Sequence, residues 1–479
     1  MSTVCVHGLG YVGLPTAALL ADAGHEITGY DVDRALLDRL SRGETTVDEP
    51  GLEAVLERVL GESLVPSAEP VPAAYHLVCV PTPLSSDDGH AGADASPGAD
   101  TEADVGTGRI GADLSAVEAA GETITGVLRP DDTVILESTV PPGTTTGVLG
   151  PLLERSGLTV GEFSLAYSPE TVLPGSVVAE LRTNDRDVGG VDERSVRRAR
   201  ELYASFVDGE LRTTTDPTFA EFVKLIQNTY RDTNIALANE LAKIAADYGL
   251  DAREAIASAN HHPRVEIHQP GPGVGGHCIP IDPLFLGQSS DQLDLIERAR
   301  AVNDGMAGYV ADLIESHRGS LAGAQVAILG IAYKGNVADT RGSPGLRLAG
   351  VLEERARARP AAVAESTSES RGHLADAAPR TRGPDRPVGE RGEGTAGKRD
   401  GPLDVRLHDP HVADQRLALC PLDEALSGAD AVVVAADHDE YAGLDPAACE
   451  RLQEPFVVDA KGVLDAAAWE AAGAAVRRI

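Results

Sequence analysis

The most chemically pointed feature of this 479-residue sequence is a cysteine set directly behind a run of glycines. Cys278 closes Pro270-Gly-Pro-Gly-Val-Gly-Gly-His-Cys, and Ile-Pro-Ile-Asp282 follows. Glycines let backbone wrap closely around a ligand. A thiol delivered there, exposed and near positive charge, can attack carbon as its thiolate. A cysteine that merely happens to sit in a loop is the competing account. Against it stand Lys224 and Asn228, four residues apart in Phe222-Val-Lys-Leu-Ile-Gln-Asn-Thr-Tyr230 and so on one helix face. A fixed cation beside an amide donor stabilises an alkoxide or a tetrahedral oxyanion. Glu170, in Tyr167-Ser-Pro-Glu-Thr-Val172, can activate water as a general base. Asp282 can order that water or the lysine, and Thr139, in Glu137-Ser-Thr-Val-Pro-Pro-Gly143, supplies a hydroxyl.

A second constellation opens the chain. Gly8-Leu9-Gly10-Tyr11-Val12-Gly13 follows an apolar run and precedes a helical one. Gly8 permits the tight turn, Gly10 lets backbone approach a pyrophosphate, and Gly13 allows close helix–strand packing. The helix N-terminus then turns amides and positive dipole toward phosphate. Asp31 stands about twenty residues on, where a carboxylate accepts hydrogen bonds from ribose hydroxyls and repels a 2′-phosphate. The cofactor expected is therefore NAD, not NADP. Asp33 or Arg34 could share the role of Asp31. Val80-Pro81-Thr82-Pro83 leaves another strand of the same sheet, where Pro81 and Thr82 can meet the nicotinamide half or form a plain Pro-rich strand exit.

These groups need a scaffold, and the pattern supplies one. Strands are expected at 3–7, 26–31, 75–80, 133–137 and 165–167, with helical stretches between them, the first ending near Ala23. Such alternation implies an α/β fold with a parallel, doubly wound sheet. From Thr218 to about Tyr248 the period is helical with no strand signal, and helix returns after the glycine loop through Leu313. A second strand–turn–helix begins at Gln325 and continues with strands at 405–408, 431–435 and 455–459, a smaller Rossmann-like domain. The stretches 85–111 and about 359–401 are rich in Ala, Gly, Pro, Ser and charge. They read as disordered surface insertions, since they lack the apolar side chains that offset ordering entropy.

Composition narrows the function classes. A formal net charge of −34 disfavours nucleic acid and anionic membranes as partners. Because the acidity is spread along the whole chain, it reads as a halophilic surface, on which high salt screens self-repulsion. Only Lys224, Lys243, Lys334, Lys398 and Lys461 are lysines, so a lysine kept in this chain can mark a place where arginine does not substitute. Five scattered cysteines without a CxxC pair indicate neither a disulfide framework nor a zinc site, and no metal is expected. Cys5 and Cys79 read as small buried hydrophobes. With no basic leader and no apolar run of membrane-spanning length, a soluble cytoplasmic protein is expected.

Gly8–Gly13, Cys79-Val-Pro-Thr-Pro83, Glu137-Ser-Thr-Val-Pro-Pro-Gly-Thr-Thr145, Tyr167-Ser-Pro-Glu-Thr-Val-Leu-Pro-Gly175, the Lys224–Asn228 helix, the Cys278 loop and Ala332-Tyr-Lys-Gly-Asn-Val-Ala-Asp-Thr-Arg-Gly-Ser-Pro344 occur in one order. In this the chain resembles the UDP-glucose/GDP-mannose dehydrogenase family over nearly its whole length. The resemblance implies an NAD-binding Rossmann domain (1–205), a helical central and dimerisation domain (206–315) and a UDP-sugar-binding Rossmann-like domain (316–479). It implies a homodimer and a four-electron oxidation of a sugar's primary alcohol through a thiohemiacetal and thioester on Cys278. In that scheme Lys224 and Asn228 hold the oxyanion, Glu170 is the base, and Thr139 and Asp282 order water and lysine. Gly275, Gly276, His277, Lys334, Arg341 and Lys461 would meet the nucleotide-sugar. The run Asn260-His-His-Pro-Arg264-Val-Glu-Ile-His268 is similar to the family's UDP-N-acetylmannosamine dehydrogenases and adds Arg264 to the substrate contacts. His277 and Ile281 stand where UDP-glucose enzymes tend to have serine and lysine, which disfavours UDP-glucose; it and UDP-N-acetylglucosamine are the rival substrates. Two readings from other classes compete. A two-electron β-hydroxyacid dehydrogenase would leave Cys278 and the second Rossmann-like domain without a task, and a non-catalytic sugar-binding protein would have no use for Cys278, Lys224 and Asn228.

Overall fold

The computed structural model describes residues 1–45, 47, 49–85, 111–365 and 401–479. The insertions expected at 85–111 and about 359–401 lie, but for their ends, outside the described residues. The ends of the first are joined: Ser85 N donates to Gly111 O at 2.8 Å, and Leu84 bridges Ala112. The helix Pro344–Glu365 extends into the start of the second.

The chain forms two compact units. The first comprises Met1–Glu240, Arg264–His268 and Val274–Asn303. Its strands are β1 (Thr3–His7), β2 (Glu26–Tyr30), β3 (Leu64–Ser67), β4 (Tyr75–Val78), β5 (Thr133–Leu136), β6 (Ser164–Tyr167), β7 (Arg186–Gly190) and β8 (Leu211–Thr214). They lie in the order β3-β2-β1-β4-β5-β6-β7-β8. Every neighbouring pair is parallel except β6 and β7. The order reverses between β1 and β4, and a ligand crevice opens outside the strand ends at such a reversal. β4 and β5 are buried at every position, as strands covered on both faces must be. Val4, Val6 and Leu77 of the sheet pack with Leu14, Leu19 and Leu20 of the helix Gly13–Asp22 in one core cluster.

The second unit comprises Leu241–Pro263, Gln269–Gly273 and Asp304–Ile479. Its strands β9 (Gln325–Leu329), β10 (Asp404–His408), β11 (Ala431–Val434), β12 (Phe456–Asp459) and β13 (Ala475–Arg478) are all parallel, in the order β10-β9-β11-β12-β13. The reversal here falls between β9 and β11.

The same local device closes the first strand of each sheet. Gly8 takes φ +96°, and a Cβ on Gly13 would stand 2.0 Å from the Gly8 carbonyl oxygen. Gly330 takes φ +98°, and a Cβ on Gly345 would stand 2.4 Å from the Gly330 oxygen. Both contacts fall far inside van der Waals distance, so helix and turn can meet only through glycine. An aspartate from the neighbouring strand's exit holds each turn. Asp31 accepts from Leu9 N at 2.8 Å, and Asp409 accepts from Ile331 N at 2.7 Å and Ala332 N at 2.8 Å.

The expected strands are all present with small shifts of boundary, and the helical run after Thr218 is the 32-residue helix Pro217–Tyr248. β3, β7, β8 and β13 were not expected. Their sequences, LVPS, RDVGG, LRTT and AVRR, carry proline, paired glycines or charge in place of an apolar run. Among the described residues no helix is long and apolar enough to cross a membrane.

Candidate active site

The glycine turn after β1 is shaped for a dinucleotide. A Cβ on Gly10 would meet nothing within 4 Å, so the loop's outer side is open. The helix Gly13–Asp22 has no side-chain cap at Val12; Leu14 N donates to Gly10 O at 3.1 Å and Pro15 has no N–H, so the turn's own amides ahead of Leu14 and the helix dipole are what it offers a bound anion. Asp31 is half-buried and accepts from Leu9 N and, at 2.9 Å, from Asp33 N; its exposed edge can still take ribose hydroxyls. The Asp33 carboxylate is committed to capping the next helix, accepting from Ala35 N at 2.8 Å, while the Arg34 side chain is exposed. These residues therefore fit the coenzyme half expected of them.

The exits of β4 and β5 are tied together. Val80 N donates to Ser138 Oγ at 2.9 Å, and Thr82 Oγ1 donates to the Thr139 carbonyl at 2.6 Å. Pro81 is exposed, while Thr82 and Thr139 are half-buried. The turn that follows Thr139 is fixed from the long helix, for Thr145 N donates to Glu221 Oε1 at 2.8 Å.

Four of the sequence candidates meet in the first unit by hydrogen bonds. Lys224, only 5% exposed, donates from Nζ to the Glu170 carbonyl at 2.8 Å and to Glu170 Oε1 at 3.2 Å. One turn along, Asn228 Nδ2 donates to Asp282 Oδ2 at 2.6 Å. Burial works to lower the Lys224 ammonium, but Glu170, Asp282 and Cys278 outweigh it and hold the group above its ordinary value. Lys224 is thus a buried cation within the electrostatic reach of Cys278. Burial pushes the Asp282 carboxyl up to about 6, against the opposing pull of Lys224 and Asn228. Glu170 goes the other way: burial raises it, but Lys224 and the Val172 amide prevail and keep it ionised. Cys278 itself is half-buried, and its carbonyl accepts from Asp282 N at 2.8 Å, so one short turn fixes thiol and carboxylate together.

The remaining candidates are placed as follows. Gly275 and Gly276 are buried, and Gly276 takes φ +82°, while His277 and Arg264 are exposed. Tyr11 and Val12 are half-buried. In the second unit, Lys334 is half-buried in the loop after β9, at the strand-order reversal. Lys461 Nζ pairs with Asp437 Oδ1 at 3.2 Å, and exposed Arg341 forms a forked pair with Asp339. Cys5 is buried as expected, whereas Cys79 is half-buried and donates to Glu137 Oε2 at 3.2 Å.

Two structural carboxylates escaped the sequence reading. Glu49 accepts from the Tyr11 hydroxyl, from Gly175 N at 2.7 Å and from Val177 N at 3.0 Å, joining the glycine turn to the segment that follows Glu170. It lies in no motif and carried no signal. Glu221 did carry one, since it precedes Lys224 by three residues on the same helix.

Comparison with known proteins agrees with this geometry. Residues 2–207 match the NAD binding domain of the UDP-glucose/GDP-mannose dehydrogenase family, residues 218–305 its central domain, and residues 399–466 its UDP binding domain. The UDP-N-acetyl-D-mannosamine dehydrogenase of Methanocaldococcus jannaschii is 36% identical, over 98% of this chain and 94% of that protein. The Escherichia coli protein of the same name is also 36% identical, over 96% of this chain and 99% of its own. A solved UDP-D-ManNAc dehydrogenase from Pyrococcus horikoshii superposes with a TM-score of 0.80 at 33% identity, covering 100% of this chain and 99% of that one. The Rossmann NAD domain, the helical central domain and the UDP-binding domain are those of its relatives. The chain belongs to the UDP-glucose/GDP-mannose dehydrogenase family and is an NAD-dependent nucleotide-sugar dehydrogenase.

Proposed function

We propose that the chain oxidises the primary alcohol of a UDP-N-acetylhexosamine, UDP-N-acetyl-D-mannosamine in the first instance, to the uronate, with Cys278 as covalent nucleophile. The observation that carries this reading is the buried Lys224 ammonium, held between Glu170 and Asp282 and within electrostatic reach of Cys278. The residues of the Gly8–Gly13 turn would hold NAD, which when bound would supply the acceptor for each of the two hydrides that the sugar carbon loses, one proton leaving to solvent with each. After the first loss the Cys278 sulfur adds to the aldehyde carbon, and a carbon–sulfur bond forms as the carbonyl becomes an oxyanion. Lys224 and Asn228 stabilise that oxyanion. After the second loss the carbon is a thioester. One water enters, Glu170 or Asp282 takes one of its protons, the carbon–sulfur bond breaks with Cys278 leaving as thiolate, and the carboxylic acid so formed gives its remaining proton to solvent. Asp31 and the turn from Gly8 to Gly13 hold the coenzyme, with Arg34, Pro81, Thr82 and Thr139 near it. Arg264, Gly275, Gly276, His277, Lys334, Arg341 and Lys461 are assigned to the nucleotide-sugar.

The substrate choice is supported by the names of the relatives at 34–36% identity and by His277 and Ile281. UDP-N-acetylglucosamine and UDP-glucose are the alternatives. A panel of UDP-sugars, assayed with NAD in molar KCl to suit the −34 net charge, should give two NADH per sugar and a uronate only with the N-acetylmannosamine compound. One NADH per sugar, or preference for UDP-glucose, would overturn the assignment. A cytoplasmic location fits soluble UDP-sugar chemistry. A homodimer fits the exposed stripe of Phe219, Phe222, Ile226, Tyr230 and Leu237 along the long helix; light scattering should then return twice the 49.8 kDa chain mass.

Asp282 gives the reaction a pH signature. A carboxyl raised to about 6 is protonated below that pH and ionised above it. Asn228 donates to the carboxylate, and the charge of nearby Lys224 favours its ionised form. Activity that depends on that form is full near pH 7.5 and falls as pH drops through 6. The acid limb of kcat/KM should therefore lie near 6 and should vanish in Asp282→Asn; an unchanged limb in that variant would remove Asp282 from the reaction.

A further inference from the structure

Three donor side chains meet inside the first sheet and serve no part of the chemistry above. Cys5 and His7 project from one face of β1, two residues apart, and the parallel register sets His76 of β4 level with Cys5. All three are 0% exposed. One donor atom from each lies within 4.8 Å of the other two. His7 Nε2 and His76 Nδ1 are 3.2 Å apart. That contact is a hydrogen bond, with one proton between the two rings. Two nitrogens each about 2.0–2.1 Å from one ion stand roughly 3.3–3.5 Å apart, so an ion taking that proton's place would need only a small widening.

Packing alone does not account for the trio. Val, Ile or Leu would fill this face without burying a polar atom. Here His7 Nδ1 and His76 Nε2, the nitrogens facing away from the shared centre, have no hydrogen-bond partner among the described residues, a burial that packing alone does not require. Burial disfavours the charged form of both rings; with the proton of each on its far nitrogen, His7 Nδ1 and His76 Nε2, the two facing nitrogens are free to bind an ion. Burial also drives the Cys5 thiol up to about 11, so it is a thiol until a metal displaces its proton.

We propose that Cys5, His7 and His76 form a buried three-coordinate site for a soft monovalent cation of the copper(I) class. Charge selects the class. One thiolate and one monovalent ion sum to zero in a dry interior, whereas a divalent ion leaves an uncompensated charge there. The neighbouring acid, Asp132, is already paired with Arg129 at 3.1 Å. Structural zinc takes four ligands, and only three donors cluster here among the described residues. Thiolate with imidazole suits copper(I) by softness. Binding releases the Cys5 proton to solvent and changes no oxidation state. The other candidate cluster, His411, His438 and Glu440, cannot use His438, both of whose ring nitrogens are engaged. His438 accepts from Asn336 N through Nδ1 at 2.9 Å and meets Asp409 through Nε2 at 3.0 Å.

The test is copper content and coordination of the full-length chain, expressed in copper-supplemented medium and titrated anaerobically with copper(I) bicinchoninate. One copper per chain is expected, with an X-ray absorption spectrum of one sulfur and two nitrogen neighbours. Cys5→Ala and His76→Leu should each weaken binding by more than about a hundredfold, beyond what a change outside the ligand set produces, while Cys278→Ala leaves it in place. NAD affinity reports whether the variants are folded, and the wild-type spectrum decides the matter if they are not. No copper above the level of Cys5→Ala, a shell of sulfur alone, or loss of copper in Cys278→Ala would overturn the site.

Discussion

Cys278→Ser should reduce uronate formation by more than about 10³-fold, a loss of roughly 4 kcal/mol in transition-state stabilisation. A serine hydroxyl is far less ionised at neutral pH than a thiol and leaves an acyl carbon less readily, so both forming and breaking the covalent bond suffer. The substitution is nearly isosteric at a half-buried position, and NAD titration should give an unchanged dissociation constant. Uronate produced at the wild-type rate would remove the thioester from the mechanism.

Lys224→Met should lower kcat by about 10²–10³-fold, the usual effect of deleting one oxyanion donor. It should also destabilise the fold, because Glu170 would keep a charge with no cation beside it. Breaking a buried pair from one side costs about 3–5 kcal/mol, and both partners are nearly buried, at 7% and 12% side-chain exposure. The double variant Lys224→Met/Glu170→Gln separates the two effects. Its melting temperature should recover to that of Glu170→Gln alone, while its kcat should fall roughly a further 10²-fold below that single variant. If the double variant matches Glu170→Gln in kcat as well, Lys224 holds the structure and takes no part at the reacting carbon.

The glycine turn after β1 and the polar pair on the long helix were legible in the sequence for physical reasons. Gly8 and Gly13 are dictated by backbone strain and by a 2.0 Å approach that no side chain survives, so their spacing is readable without a structure. Lys224 stood out because lysine is scarce in so acidic a chain, and it is indeed buried in an ion pair rather than on the surface. Glu170 was legible as a carboxylate at a strand exit. Its partner was not, since the Lys224 contact joins residues 54 apart in sequence. The division of proton affinity between Glu170 and Asp282 was equally hidden, because it depends on burial and distance rather than residue type. β7 escaped notice because RDVGG is buried by its neighbours despite its charges and glycines: Arg186 pairs with Glu137, and Asp187 with Arg212. Glu49 bonds to three groups distant in sequence, and a lone glutamate gives no sign of that.

The paired aspartates that hold the two glycine turns differ in one respect that decides what each half can take. Asp31 keeps an edge toward solvent. Asp409 is shut in by the amides of Ile331, Ala332, His411 and Val412 and by the His438 ring. A ribose diol arriving at the second turn finds every lone pair of that carboxylate engaged. The repeated architecture thus contains its own safeguard against misloading: two similar clefts, of which one alone can grip a nicotinamide dinucleotide by its sugar.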